Sequence, residues 1–212
     1  MANGNTVDKI LDAAQELFAE RGFAETSLRM ITSKAGVNLA AVNYHFGSKE
    51  ALIQATFSRF LTPFSREFKD QLSAYIQQVG EENIDIAHMI AVLASSAQVV
   101  AERNDQSVAV FMRLMGLAYA QAQGHLRNYL KEHYSDVFKP FMRTLKTACP
   151  EMTPIEWFWR IHFVLGTLAF TMSSVDSLQA MAANDLSVDS QFKDMISYLA
   201  KFVSAGLMAS AT

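Results

Sequence analysis

Between Asn38 and Lys49 the chain reads N-L-A-A-V-N-Y-H-F-G-S-K, a set of residue types that can read the edges of base pairs. An asparagine amide carries a donor and an acceptor side by side and can bond adenine twice, and a small methyl can meet the methyl of thymine. At ~100° per residue, Leu39, Val42 and Phe46 fall on one side of a helix and Ala40, Ala41 and Tyr44 on the other. Val42 and Phe46 are expected to pack inward, while Leu39, at the helix start, can point inward or at a base. Ala40 and Ala41 let the backbone come close to the bases, and Asn43, Tyr44 and His45 flank that approach. Residues 27–49 hold three bases, Arg29, Lys34 and Lys49, and no acid, whereas residues 1–26 hold five acids and two bases. The local charge therefore suits phosphate although the whole chain carries −3. Helix starts at Thr26–Ser27 and Ser48–Lys49 add amides and hydroxyls, which favour anions.

A second group of residues can line a cavity. Met89, Leu93, Phe111, Met112 and Met115 lie on apolar helical stretches, followed by Tyr119, Trp159, His162 and Phe163. Methionine and aromatic side chains suit a flexible, apolar small molecule, and they equally suit a plain core. Arg113 can pair with a ligand carboxylate or lie along the surface. Nothing in the chain points to catalysis. There are no paired carboxylates in an apolar helix, no Ser/His/Asp spacing and no glycine-rich phosphate loop. His88, His125, His133 and His162 are scattered, and Cys149 is the only cysteine, so no metal, cofactor or disulfide is expected.

The elements that would position these residues are all helical. Half of the 212 residues are hydrophobic, enough for a substantial core, and no alternating strand pattern or internal repeat occurs. About nine helices are expected. The first spans 6–21, capped by Asn5 or Thr6 and ended by a left-handed Gly22. Two short helices follow, one from Thr26 or Ser27 to Ala35 and one from Asn38 to His45, joined by Ala35-Gly36-Val37. That is the outline of a helix-turn-helix, whose second helix enters the major groove. A long helix over 48–79, with a possible bend at Pro63, joins residues 1–50 to a larger helical unit over 51–212. There the spacing predicts helices over 84–103, 106–121, 126–149, 155–181 and 190–208, with Pro140 a kink in the fourth of the long ones. Residues 155–181 are apolar nearly all round, and Gly166 with Ala169 would let a partner helix approach. With the last helix they read as a dimerisation surface. Only about 13 residues there run without an ionisable group, short of the ~20 of a membrane span. No signal peptide is visible in the first residues, so a soluble, cytoplasmic protein is expected.

Three runs resemble the TetR/AcrR family: F-A-E-R-G-F-A-E-T-S at Phe18–Ser27, I-T-S-K-A-G-V-N at Ile31–Asn38 and Y-H-F-G-S-K-E at Tyr44–Glu50. The resemblance implies a homodimeric regulator, usually a repressor, that binds a palindromic operator. It also implies a variable C-terminal ligand domain, with Thr26, Ser27, Asn38, Tyr44, His45 and Lys49 meeting the DNA backbone or groove. This chain has Asn43 where many members have an aromatic, and Leu39 where a lysine or arginine is frequent; these departures bear on base preference. Three further runs, F-M-R-L-M-G-L-A at Phe111–Ala118, Q-G-H-L-R at Gln123–Arg127 and W-R-I-H-F at Trp159–Phe163, resemble the PsrA-type group of that family. This implies a long-chain fatty acid or acyl-CoA as effector and genes of fatty-acid metabolism as targets. A different apolar effector, such as a drug controlling an efflux operon, is the alternative.

Overall fold

A computed structural model describes residues 2–121 and 124–210, with side chains from Thr6 onward; Gln123 of the run at 123–127 lies outside the described residues. Ten α-helices follow one another, with one 3-10 turn at Glu81–Asn83 and no strand among the described residues. They are α1 (Ala2–Glu25), α2 (Leu28–Ala35), α3 (Leu39–Phe46), α4 (Lys49–Val79) and α5 (Ile86–Arg103). The second half holds α6 (Val108–Ala120), α7 (Gly124–Ala148), α8 (Pro154–Ser173), α9 (Val175–Leu186) and α10 (Phe192–Met208).

The all-helical reading holds, with differences at the helix ends. α1 starts at Ala2, ahead of the cap expected at Asn5 or Thr6. Its break does fall at Gly22, but with φ 83° and ψ 170° rather than in the left-handed helical region. The single helix expected over 155–181 is two, α8 and α9, bent by 71° at Ser174. The Ser173 hydroxyl bonds back to the Phe170 carbonyl at 3.1 Å, and serines that do so compete with the helical ladder. α9 then continues to Leu186, beyond the end expected at 181, until Ser187 in the left-handed region ends it. No single described helix is long and apolar enough to cross a membrane.

α4 is the axis of the molecule. Its buried side chains Leu52, Phe57, Phe60, Phe64, Phe68 and Tyr75 recur at helical spacing and face α1, α5 and α7. The rings form a continuous series from one end to the other. Phe18 meets Phe23 at 5.3 Å, Phe23 meets Phe57 at 6.1 Å, and Phe111 of α6 stacks on Phe60 at 4.2 Å. Below them Phe64 stacks on Phe68 at 5.7 Å, and Phe68 meets Phe141 of α7 edge-on at 5.2 Å. Offset and edge-on ring pairs contribute ~0.5–1.5 kcal/mol each beyond their buried area. The buried apolar residues thus form one cluster from Ile10 to Leu207. The small N-terminal unit is fastened to this axis by a polar tie as well. Arg59 of α4 pairs with Asp12 of α1; within the N-terminal unit, Lys34 of α2 pairs with Glu16 of α1 at 2.7 Å.

α8 and α10 are joined by Arg160. Its guanidinium donates to the carbonyls of Leu207 at 3.0 Å, Ala209 at 2.6 Å and Ser210 at 3.0 Å, and it pairs with Glu156. A cation there satisfies carbonyls that the end of α10 leaves without helical partners and lies at the negative end of its dipole.

Candidate nucleic-acid interface and effector cleft

The N-terminal unit is built by its caps. Ser27 Oγ accepts the Met30 N–H at 3.2 Å to start α2, Asn38 Oδ1 accepts the Ala41 N–H at 2.9 Å to start α3, and Ser48 Oγ accepts the Ala51 N–H at 3.0 Å to start α4. Each satisfies a backbone donor that a helix start leaves free. Between α2 and α3, Gly36 takes φ 65°, ψ 34°, and the Val37 N–H bonds back to Thr32 O at 3.0 Å. That left-handed closure turns the chain sharply enough to set α3 across α2. At Glu50 the exposed carboxyl is held below the usual carboxylate range, first by its own backbone N–H and then by the Ser48 hydroxyl.

α3 divides cleanly into two faces. Val42 is buried, and Ala41 and Phe46 pack half-buried against the core. Leu39, Ala40, Asn43 and Tyr44 face solvent. Tyr44 is 80% exposed, more than any other large apolar side chain among the described residues. Its ring meets His45 edge-on at 5.0 Å, which keeps the pair side by side at the helix end. Leu39, with two directions open from sequence, points outward. Ala41 is corrected: expected on the outer side, it lies at the edge between the two faces, where it is half-buried and packs against the core. Arg29 and Lys49 flank this face and form no ion pair among the described residues, whereas Lys34 is neutralised by Glu16.

Thr26 is a second correction. Its side chain is fully buried, and its hydroxyl donates to Gly22 O at 2.8 Å and Leu17 O at 3.1 Å. It hooks the start of α2 onto α1, so its hydroxyl cannot meet a phosphate. Ser27, Asn38 and Ser48 spend their oxygens on caps but stay exposed, leaving helix-start amides near the surface, where anions are favoured.

The expected ligand residues separate into three places. Met89 is fully buried and Phe111 nearly so, both in the packed core, with Leu93 and Met112 packed half-buried against it. Trp159 and Phe163 are exposed on α8, outside that core, with their rings stacked at 6.0 Å. Met115, Tyr119 and His162 do come together, in a cleft of about 410 Å³ between α6, α7 and α8. Phe158 and Leu130 complete its apolar walls, and Arg127 stands at its edge. The His162 ring lies tilted against Phe158 at 4.0 Å between centroids, and its Nδ1 lies 2.6 Å from the Phe158 carbonyl. A neutral ring that donates through Nδ1 has Nε2 left to accept. Arg113, weighed as a carboxylate partner, is exposed on the outside of α6. The cation at the cleft is Arg127, whose place in the run Gly124–Arg127 was the only sequence signal for it. The lining combines apolar side chains with a guanidinium, a phenol and an imidazole, which suits an amphiphile with an anionic head.

A third surface runs along α8 and α10. Phe163 is 65% exposed, Phe170 64%, Tyr198 71% and Phe202 70%. Between them Gly166 is open, with no neighbour within 4 Å of where a Cβ would stand.

Residues 10–56 match the family described as bacterial regulatory proteins, tetR family, and residues 91–206 match the tetracyclin repressor-like C-terminal domain. The chain is 35% identical over 94 residues to the HTH-type transcriptional regulator BetI of Brucella canis, a match to 44% of this chain and 46% of that protein. It spans less than half the length of the curated relatives it matches. Among solved structures, an HlyIIR mutant protein superposes with a TM-score of 0.61 at 18% identity, over 97% of this chain and 96% of that one. The fatty acid degradation regulator FadR from Bacillus halodurans superposes with a TM-score of 0.57 at 17% identity, over 97% of both chains. At these identities the likeness to the solved structures is one of fold.

Proposed function

Since the chain belongs to the tetR family of bacterial regulatory proteins, we propose that residues 1–50 bind a palindromic operator through the outer face of α3, and that residues 51–212 bind an effector and dimerise. The chain is a DNA-binding transcriptional regulator, of a family of regulators rather than enzymes. Acting on DNA, it works in the cytoplasm. The observation that carries the DNA assignment is the outer face of α3: a short helix that exposes Leu39, Ala40, Asn43 and Tyr44 to solvent. A major groove accepts a helix of this kind. Arg29, Ser27, Asn38, His45 and Lys49 then surround the contact, with Lys49 and the cap amides on phosphate and Asn43 and Tyr44 toward the bases. Two copies joined through α8 and α10 as a four-helix bundle present two such faces, as a palindrome requires.

The effector is a long-chain fatty acid or its CoA ester, and the regulator is a repressor of fatty-acid metabolism genes that it releases. The cleft beside Met115, Tyr119 and His162, with Arg127 at its edge, supports this reading, as do the runs at Phe111–Ala118 and Trp159–Phe163. A different apolar ligand fits the same walls without using Arg127, so Arg127→Ala separates the two readings. Titration of the protein with oleate, oleoyl-CoA and a neutral apolar compound tests the choice. Binding of oleate that weakens at least about tenfold in Arg127→Ala supports the fatty-acid reading; preference for the neutral compound contradicts it.

A further inference from the structure

Where α6 packs on α1, Gln121, which caps the end of α6, makes a hydrogen bond across to the helices that carry the DNA-binding face. Its N–H donates to Leu117 O at 2.9 Å, so its side chain leaves the helix at a fixed point. Its Oε1 accepts the Phe23 N–H at 3.1 Å, a contact between residues 98 apart in sequence. Phe23 follows the break in α1 at Gly22, whose φ of 83° and ψ of 170° lie in a region open essentially to glycine alone. A Cβ on Gly22 would stand 2.6 Å from Gln121 Nε2. The Gly22 carbonyl in turn accepts the Thr26 hydroxyl at 2.8 Å, one residue before the Ser27 cap of α2. Two hydrogen bonds therefore lead from the end of α6 to the start of the helix-turn-helix. On its other side, the same last turns of α6 give Met115, Ala118 and Tyr119 to the cleft. The Phe23 ring is buried against Phe18 and Phe57, and close packing of this kind transmits a displacement rather than absorbing it.

We infer that Gln121 is a positioning residue through which the DNA-binding helices sense what occupies the cleft. This rests on the effector reading above. A molecule seated between α6, α7 and α8 moves the last turn of α6; Gln121 carries Phe23 and Gly22 with it, and α2 and α3 follow through Thr26. The effector then favours the setting of α3 in which it binds better, and operator affinity falls by the same coupling.

The test compares wild type, Gln121→Ala and Gln121→Glu, the last keeping an acceptor for the Phe23 N–H. Operator affinity is read by fluorescence anisotropy with and without oleate, and amide hydrogen exchange over residues 18–30 is read without ligand. Wild type is expected to lose about tenfold or more in affinity on adding oleate. Gln121→Ala is expected to bind the operator but to lose most of that response, and Gln121→Glu to keep it. An equal loss in wild type and Gln121→Ala overturns the role of Gln121 and leaves the effector reading standing. If wild type ignores oleate, the effector reading fails by itself and exchange decides the link. Faster exchange at Phe23 and along α2 in Gln121→Ala, restored in Gln121→Glu, upholds it; unchanged exchange overturns it.

Discussion

At the scale of single residues, Tyr44 and Thr26 show opposite fates of the same kind of expectation. Tyr44 is 80% exposed on a helix that buries Val42, so removing its ring leaves no cavity. Tyr44→Ala is expected to lower specific operator affinity by tenfold or more, about 1.4 kcal/mol, with the thermal midpoint unchanged; full affinity in that variant contradicts the groove assignment. Lys49→Ala is expected to weaken all duplexes alike and to reduce the slope of log affinity against log salt by about 0.9 per half-site. Thr26→Ala should leave that slope alone and cost stability instead. It strips the hydroxyl from two carbonyls, of Gly22 and Leu17, and buried polar groups left unpaired cost ~1–3 kcal/mol. Denaturant unfolding of Thr26→Ala checks this. The outer face of α3 was legible only in part: ~100° spacing put Ala40 and Tyr44 on it, where both are exposed, but it also put Ala41 there, which packs against the core, and grouped Leu39 with the inward side chains, although it is exposed. Thr26 was not legible, because a threonine beside a helix start serves equally as a phosphate donor or a hook onto the preceding helix, and only its burial separates these. Arg127 was passed over for Arg113 since both sit near apolar helical residues, and only the packing of α6 on α8 turns Arg113 outward.

At the scale of elements, caps and glycines marked α2, α3 and α4, whereas α1 starts ahead of its expected cap at Asn5 or Thr6. Ser27, Asn38 and Ser48 start three helices, and Gly36 ends one, as their chemistry dictates. The break between α8 and α9 was not legible, because Ser173 and Ser174 interrupt an apolar run without breaking its helical pattern. Whether a serine hydroxyl bonds to solvent or back to the helix depends on its neighbours. Arg160 shows a further element-scale dependence that spacing does not reveal. It ties α8 to the end of α10 through backbone carbonyls 47 to 50 residues away. With its side chain only 13% exposed, Arg160→Ala is expected to destabilise the protein by about 2 kcal/mol, as for charged hydrogen bonds. It should also speed amide exchange in the last turn of α10 before that of α4. Uniform exchange across both helices would show that Arg160 does not hold α10.

At the scale of the whole molecule, the apolar character of residues 155–181 already pointed to an interface, and the exposed Phe163, Phe170, Tyr198 and Phe202 bring α8 and α10 into one surface. Phe163→Glu with Phe202→Glu is expected to give a folded monomer by sedimentation, with operator affinity greatly reduced because one half-site is read at a time. A dimer that persists in that double variant places the interface elsewhere. The sequence suggested a division near residue 50, but how far the helices on either side of it share packing was not legible. The ring series from Phe18 to Phe141 crosses that boundary, and pattern along the chain cannot say which distant rings meet.

The measurement that bears most directly on the account is selection of duplexes from a random pool by the purified protein, followed by titration of the enriched duplex with and without oleate. The account predicts enrichment of a palindrome bound by two chains, lost in Tyr44→Ala and weakened by oleate. A pool that stays random at a salt concentration where non-specific binding is suppressed would contradict the assignment of α3 as the element that reads DNA.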